Sequence, residues 1–292
     1  MFSGSIPALV TPFKKDGVID EERLRFLINW HIRNKSDAIL VCGTTGESAT
    51  LSHDEHKHVV KIAVEESKGK IPIIAGAGSN STREALDLAQ FAKKVKADAI
   101  LVITPYYNKP TQEGLYQHYR TISHNVKIPL IIYNVPSRTG TSILPQTVAR
   151  IYKDCRTVIG IKEASGSLDQ ITRLMSLVDR RFVLLSGSDE ITLPIMSVGG
   201  VGVISVVANI MPKKTHQLVS SFLDGNVEKA KKLQLYLYSL IKALFIETNP
   251  IPVKTALGFM GLIEPNLRLP LYKMREDNLN KLKSVLKSYS LI

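Results

Sequence analysis

Short apolar runs recur along the chain at 6–10, 38–42, 71–75, 99–103, 130–133, 158–161, 182–185 and 202–207. They are rich in Val and Ile and do not alternate with polar residues. Strands buried on both faces read this way, so the runs predict a parallel sheet covered by helices. Their starts fall roughly 20 to 33 residues apart, about what a βα unit requires. The segments between them carry helix-start signals. Ser52-His53-Asp54-Glu55 and Ser81-Thr82-Arg83-Glu84 each fit a capping box ahead of an amphipathic stretch. Eight such units predict a (β/α)8 TIM barrel, with a doubly wound open sheet as the competitor. After about Leu223 the pattern turns helical, over 226–246, 251–260 and 277–286. The expected organisation is a barrel over residues 1–225 and a C-terminal helical extension over 226–292. The two form one structural unit, because no linker separates them.

Composition changes this picture little. The 292 residues are 22% charged and 44% hydrophobic, which is ordinary for a globular chain. The formal charge of +12 first suggests nucleic acid or an anionic membrane. The basic residues, however, fall in short clusters such as Lys14-Lys15, Lys93-Lys94 and Arg180-Arg181, without the interleaved aromatics that a nucleic-acid surface wants. Neither partner is expected. The longest uncharged segment, 191–212, is broken by Pro194, Gly199, Gly200 and Gly202. It predicts a short helix, a glycine turn and a buried strand instead of a membrane span. The first ten residues lack the basic region and apolar length of a leader. Cys42 and Cys155 are too few for a disulfide framework and read as buried thiols, so a cytoplasmic location is expected.

Polar residues gather where the apolar runs end. Gly43-Thr44-Thr45-Gly46-Glu47 follows the second run, Thr104-Pro105-Tyr106-Tyr107 the fourth and Tyr133-Asn134-Val135-Pro136 the fifth. Lys162-Glu163-Ala164-Ser165 follows the sixth and Ser186-Gly187-Ser188-Asp189 the seventh. In a parallel barrel these ends share one face, where active sites are built. Strand alternation puts Ile159 and Ile161 towards the helices and Gly160 and Lys162 into the barrel. A desolvated amine favours its neutral form, which attacks carbonyls and forms Schiff bases. The competing reading lets Lys162 snorkel out or pair with Glu163. The Gly43–Glu47 loop fits an anion site and a tight βα turn equally well. His53, His56 and His58 form the one histidine cluster, without the HExxH or cysteine pair of a metal site, so they read as a polar helix face and no metal is expected.

These motifs together resemble the 4-hydroxy-tetrahydrodipicolinate synthase (dihydrodipicolinate synthase) family. Its superfamily includes N-acetylneuraminate lyase and 2-keto-3-deoxy-sugar-acid aldolases. Gly43-Thr44-Thr45-Gly46-Glu47 and Gly160-Ile161-Lys162-Glu163-Ala164-Ser165 carry the superfamily resemblance, and Tyr133-Asn134-Val135-Pro136-Ser137-Arg138-Thr139-Gly140 the narrower one. The resemblance implies condensation of pyruvate with L-aspartate 4-semialdehyde on a Schiff-base lysine at Lys162, without metal or cofactor. It implies Tyr133, Thr44 and Tyr107 as a proton relay, with Tyr107 supplied by a neighbouring subunit of a homotetramer built as a dimer of dimers. Thr45, Gly187 and the backbone at Ile204 match pyruvate-binding positions, and Arg138 matches the receiver of the second substrate's carboxylate. Ser48, Ala49, His53, His56, Asn80, Glu84 and Tyr106 match a site for inhibitory L-lysine. A pyruvate-dependent sugar-acid lyase is the alternative within the superfamily. A silent basic barrel that binds nucleic acid is the alternative outside it.

Overall fold

The computed structural model describes residues 2–292. Eight parallel strands run β1 (Gly4–Pro7), β2 (Ile39–Val41), β3 (Ile73–Gly76), β4 (Ala99–Ile103), β5 (Leu130–Asn134), β6 (Val158–Glu163), β7 (Val183–Ser186) and β8 (Gly202–Ser205). From β2 to β8 each strand pairs with the next in sequence, and β8 pairs with β1. The ring closes between β1 and β2 through the Ala8–Leu40 bridge and the Leu9 N–H to Leu40 carbonyl bond of 2.8 Å. This is a (β/α)8 barrel, as the strand spacing predicts, and not an open sheet.

Alternation sorts the strand residues into two cores. Ile6, Leu40, Ile74, Leu101, Ile131, Leu185 and Ile204 fill the barrel interior. Ile39, Ile73, Ile100, Ile132, Ile161, Leu184 and Val203 point outward and pack under the helices. Both faces being apolar is why the runs show no alternation in sequence.

The expectation for β6 needs correction at one residue. Leu130 pairs with Val158 but Ile131 with Gly160, so Ile159 is an extra residue in the register. It packs against the interior cluster instead of facing the helices. Beyond this bulge the alternation resumes, with Ile161 outward and Lys162 beside Tyr133 of β5. Gly160 is needed there because a Cβ would collide with the Val183 carbonyl.

The helices start where the sequence says they should. Ser52 and Glu55 form the full capping box of helix His53–Ser67. At helix Thr82–Lys94 only half of the expected box forms. Ser81 Oγ accepts from Glu84 N–H at 3.5 Å, but the Ser81 N–H donates to Ser79 Oγ at 3.0 Å instead of to Glu84. Segment 191–212 contains helix Thr192–Ser197, the glycine turn and β8. Among the described residues no helix is long and apolar enough to cross a membrane. Helices Val227–Leu244, Ile251–Phe259 and Glu276–Ser288 follow the barrel. Asn226 caps the first of them by accepting from Lys229 N–H at 3.1 Å.

Candidate active site

The C-terminal ends of β5 and β6 place Tyr133 and Lys162 side by side in the barrel mouth. Both are buried, and Lys162 Nζ lies 4.3 Å from the centre of the Tyr133 ring. Lys162 therefore does not snorkel out. Nor does it pair with Glu163, which alternation turns the other way. The buried Glu163 carboxylate accepts from Asn134 Nδ2 at 3.1 Å and from Ser165 N–H at 2.7 Å. Gly187 makes room beside the amine: a Cβ there would sit 2.6 Å from Ala164 Cβ and 3.2 Å from Lys162 Cε.

Lys162 and Tyr133 open on a cavity of about 260 Å³ that Thr44, Thr45, Arg138, Gly187 and Ile204 also line. These are seven of the eight residues expected at the catalytic and substrate positions. Thr44 and Thr45 belong to the loop after β2, whose turn is held by Gly46 N–H to Gly43 carbonyl and Glu47 N–H to Thr44 carbonyl, both 3.1 Å. The buried Thr45 hydroxyl oxygen accepts from Asn249 Nδ2 at 2.9 Å. Having accepted there, it retains its own proton to donate to an anion in the cavity. Arg138 is exposed and donates to the Asn249 carbonyl at 3.2 Å. Val206, which also lines the cavity, donates its N–H to the buried Asp189 carboxylate at 2.8 Å, and Val207 N–H does so at 3.2 Å. Burial pushes the Asp189 carboxyl above its ordinary range.

The eighth residue, Tyr107, is not there. It is 89% exposed at a left-handed backbone position (φ 70°), outside the cavity of its own chain.

A second cavity of about 400 Å³ adjoins the first, and Thr44 and Arg138 line both. It gathers Ser48, Ala49, His53, His56, Glu84 and Tyr106. Asn80 does not line it; its carbonyl accepts from Asn108 Nδ2 at 2.9 Å. The three histidines do not converge on one point. His58 bonds Glu21 at 2.7 Å on the outer surface. His56 is buried and donates from Nε2 to the Gly76 carbonyl at 2.7 Å, while burial lowers its pKa. With Nε2 donating, the neutral form of the ring has Nδ1 as an acceptor.

Sequence reasoning missed Asn249 and the buried Lys254, and placed Asp189 at the end of the seventh run without giving it a role. Asn249 and Lys254 lie in the C-terminal helical region, where apolar periodicity reads only as packing. Asn249-Pro250 immediately before a helix was the one local signal.

An amine held in the mouth of a (β/α)8 barrel, next to a phenol and a threonine-bearing loop, defines a barrel enzyme. Residues 1–289 match the dihydrodipicolinate synthetase family. The chain is 55% identical over 293 residues, with 100% of both chains covered, to a 4-hydroxy-tetrahydrodipicolinate synthase of Sulfurihydrogenibium sp. (strain YO3AOP1). A chloride-inhibited dihydrodipicolinate synthase from Acinetobacter baumannii, complexed with pyruvate, superposes with a TM-score of 0.97 at 44% identity over 100% of each chain. A dihydrodipicolinate synthase from Cyanidioschyzon merolae with lysine bound gives 0.96 at 38% identity, over 100% of this chain and 99% of that one. The chain belongs to the dihydrodipicolinate synthetase family.

Proposed function

We propose that this enzyme is a lyase that condenses pyruvate with L-aspartate 4-semialdehyde to give 4-hydroxy-tetrahydrodipicolinate, the first committed step of lysine and diaminopimelate biosynthesis. The observation that carries the reading is the Lys162 amine, buried against Tyr133 inside the barrel mouth. The amine adds to the pyruvate ketone and loses water, giving an imine. The imine nitrogen acidifies the pyruvyl methyl group, which releases a proton to give an enamine. The enamine carbon attacks the aldehyde. The amino group of the second substrate then displaces Lys162, closing the ring and restoring the free amine.

Tyr133 moves the protons. A tyrosine in water has a pKa of about 10 and is a slow shuttle near neutrality, so a hydrogen-bonded chain through Thr44 and the partner subunit's Tyr107 supplies what it lacks. Thr45, Gly187 and the backbone at Ile204 hold pyruvate, and Arg138 receives the carboxylate of the aldehyde. The sugar-acid lyase reading is set aside, because the full-length relatives are synthases.

L-lysine is the inhibitor assigned to the second cavity, where one carboxylate and two imidazoles suit an amino acid with an extra ammonium. The assembly is a homotetramer built from dimers, in the cytoplasm. Residues 1–225 form the barrel and 226–292 an extension in the same unit. Borohydride reduction in the presence of pyruvate, followed by peptide mass mapping, tests the chemistry. The expected adduct is on Lys162, and its absence overturns the mechanism. Consumption of L-aspartate 4-semialdehyde, not of a sugar aldehyde, checks the second substrate.

A further inference from the structure

An ion pair with both side chains fully buried lies outside the substrate cavity. Lys254, on helix Ile251–Phe259, is fully buried, and its Nζ is 2.6 Å from Glu47 Oε1. The ammonium also donates to the Thr11 carbonyl at 2.9 Å and sits 4.2 Å from the centre of the Phe13 ring. The second Glu47 oxygen accepts from Arg268 N–H at 3.1 Å. Thr11 Oγ1 in turn donates to the Gly46 carbonyl at 2.7 Å. Three groups thus bind the end of the loop that carries Thr44 and Thr45: Thr11 from the β1 side, and Lys254 and Arg268 from the C-terminal region.

A buried ion pair is a weak source of stability. Two apolar side chains of similar volume are often as stable or more so. What a pair with several directional bonds does supply is position. Glu47 needs it, because its backbone is left-handed (φ 53°) without being glycine. The same C-terminal segment reaches the site a second time. Asn249, five residues before Lys254, donates to Thr45 and accepts from Arg138. Lys254 therefore closes a ring of contacts from Glu47 along the loop to Thr45, through Asn249, and back along the helix.

We infer that Glu47 and Lys254 form a buried positioning unit that fixes Thr44, Thr45 and Arg138 relative to Lys162. The inference rests on the reading of the site given above. Neither residue touches substrate, and both act through the loop and Asn249. Burial lowers the Lys254 pKa to about 8, with Glu47 opposing the fall and Arg268 adding to it. The charged groups facing the ammonium are Glu47 on the loop and Arg268 on the tail, the latter itself paired with Glu55. The Thr11 and Phe13 side contributes only a carbonyl and a ring.

The test is the paired neutral variant Glu47→Gln with Lys254→Met in the full chain. The expected result is a folded protein that still traps pyruvate on Lys162 with borohydride. Its kcat/KM falls by about 10- to 100-fold for both substrates, since sub-ångström displacement of positioning groups has effects of this order. Wild-type kcat/KM in the folded variant overturns the inference. Failure of the unmodified enzyme to trap pyruvate would instead overturn the reading of the site.

A second measurement needs no variant. The Lys254 proton is followed by NMR on 15N-lysine-labelled enzyme while kcat/KM is measured against pH. Activity is expected to fall as Lys254 loses its proton, at whatever pH the NMR signal places that loss. Stability from this group does not fall there. Its folded pKa lies below the ordinary 10.5, so the unfolded chain binds the proton more tightly and the contribution rises between about 8 and 10.5. A flat kcat/KM through that titration sinks the idea.

Discussion

The carboxylate of Glu84 has two competing uses in the sequence, a helix cap and a ligand for lysine. The geometry separates them. In a capping box the Glu84 side chain would take the Ser81 N–H. Ser79 Oγ takes that N–H instead and passes its own proton to Glu84 Oε2 at 2.7 Å. The cap is thus satisfied through Ser79, and Glu84 stays on the wall of the second cavity with acceptor capacity to spare. A charge-assisted bond from a lysine ammonium to such a group is worth about 1.5–3 kcal/mol. Glu84→Gln is therefore expected to raise the L-lysine concentration for half inhibition by roughly tenfold or more. Turnover titrated with lysine in both proteins checks this, and unchanged sensitivity would remove Glu84 from the site.

Helix His53–Ser67 shows how a local signal acquires a distant partner. Its capping residue Glu55 is chosen by the helix start, and that much is legible in Ser52-His53-Asp54-Glu55. Arg268, more than two hundred residues away, then grips the same carboxylate at 2.5 and 2.8 Å and also donates to the Gly17 and Thr50 carbonyls. The guanidinium and the Ser52 N–H hold the Glu55 carboxyl down at about 2, against an ordinary value of 4.5. A depressed carboxyl gives stability that is fully present above pH 4.5 and lost as pH falls towards 2. Arg268→Met is expected to flatten that part of the acid-unfolding curve while leaving the neutral-pH fold intact. An unchanged acid limb in urea melts taken across this range would show that the pair contributes nothing, the common fate of partly exposed ion pairs. The contrast explains what was legible in the sequence. Strand spacing, helix caps and the inward Lys162 follow from neighbours within a few residues. The bulge at Ile159, the grip of Arg268 and the Lys254–Glu47 pair depend on elements that meet only after the barrel closes. No local period records such meetings.

The single chain gathers seven of the eight expected site residues around one cavity and leaves Tyr107 outside it. Tyr106 and Tyr107 follow β4 on the same face as the cavity, yet Tyr107 projects into solvent with 89% of its surface exposed. An aromatic side chain held outward at a left-handed backbone position is badly placed for a monomer. It is well placed for a neighbour related by a twofold axis, because such an interface exchanges identical residues between two sites. The net charge of +12 gives no such direction. It is compatible with anionic substrates and opposes close approach of two copies, so a contact between them would have to rest on local complementarity. Exchange of subunits tests the arrangement without disturbing the interface. A Lys162→Met subunit lacks the amine but can lend its tyrosine. A Tyr107→Phe subunit keeps the amine but lends a defective ring. In a mixed dimer one site receives both intact residues and the other receives neither. Unfolding and refolding the two inactive proteins together is therefore expected to restore activity well above the sum of the separate preparations. Activity in the mixture no greater than that sum would mean that each chain uses its own Tyr107, or that Tyr107 takes no part in the relay.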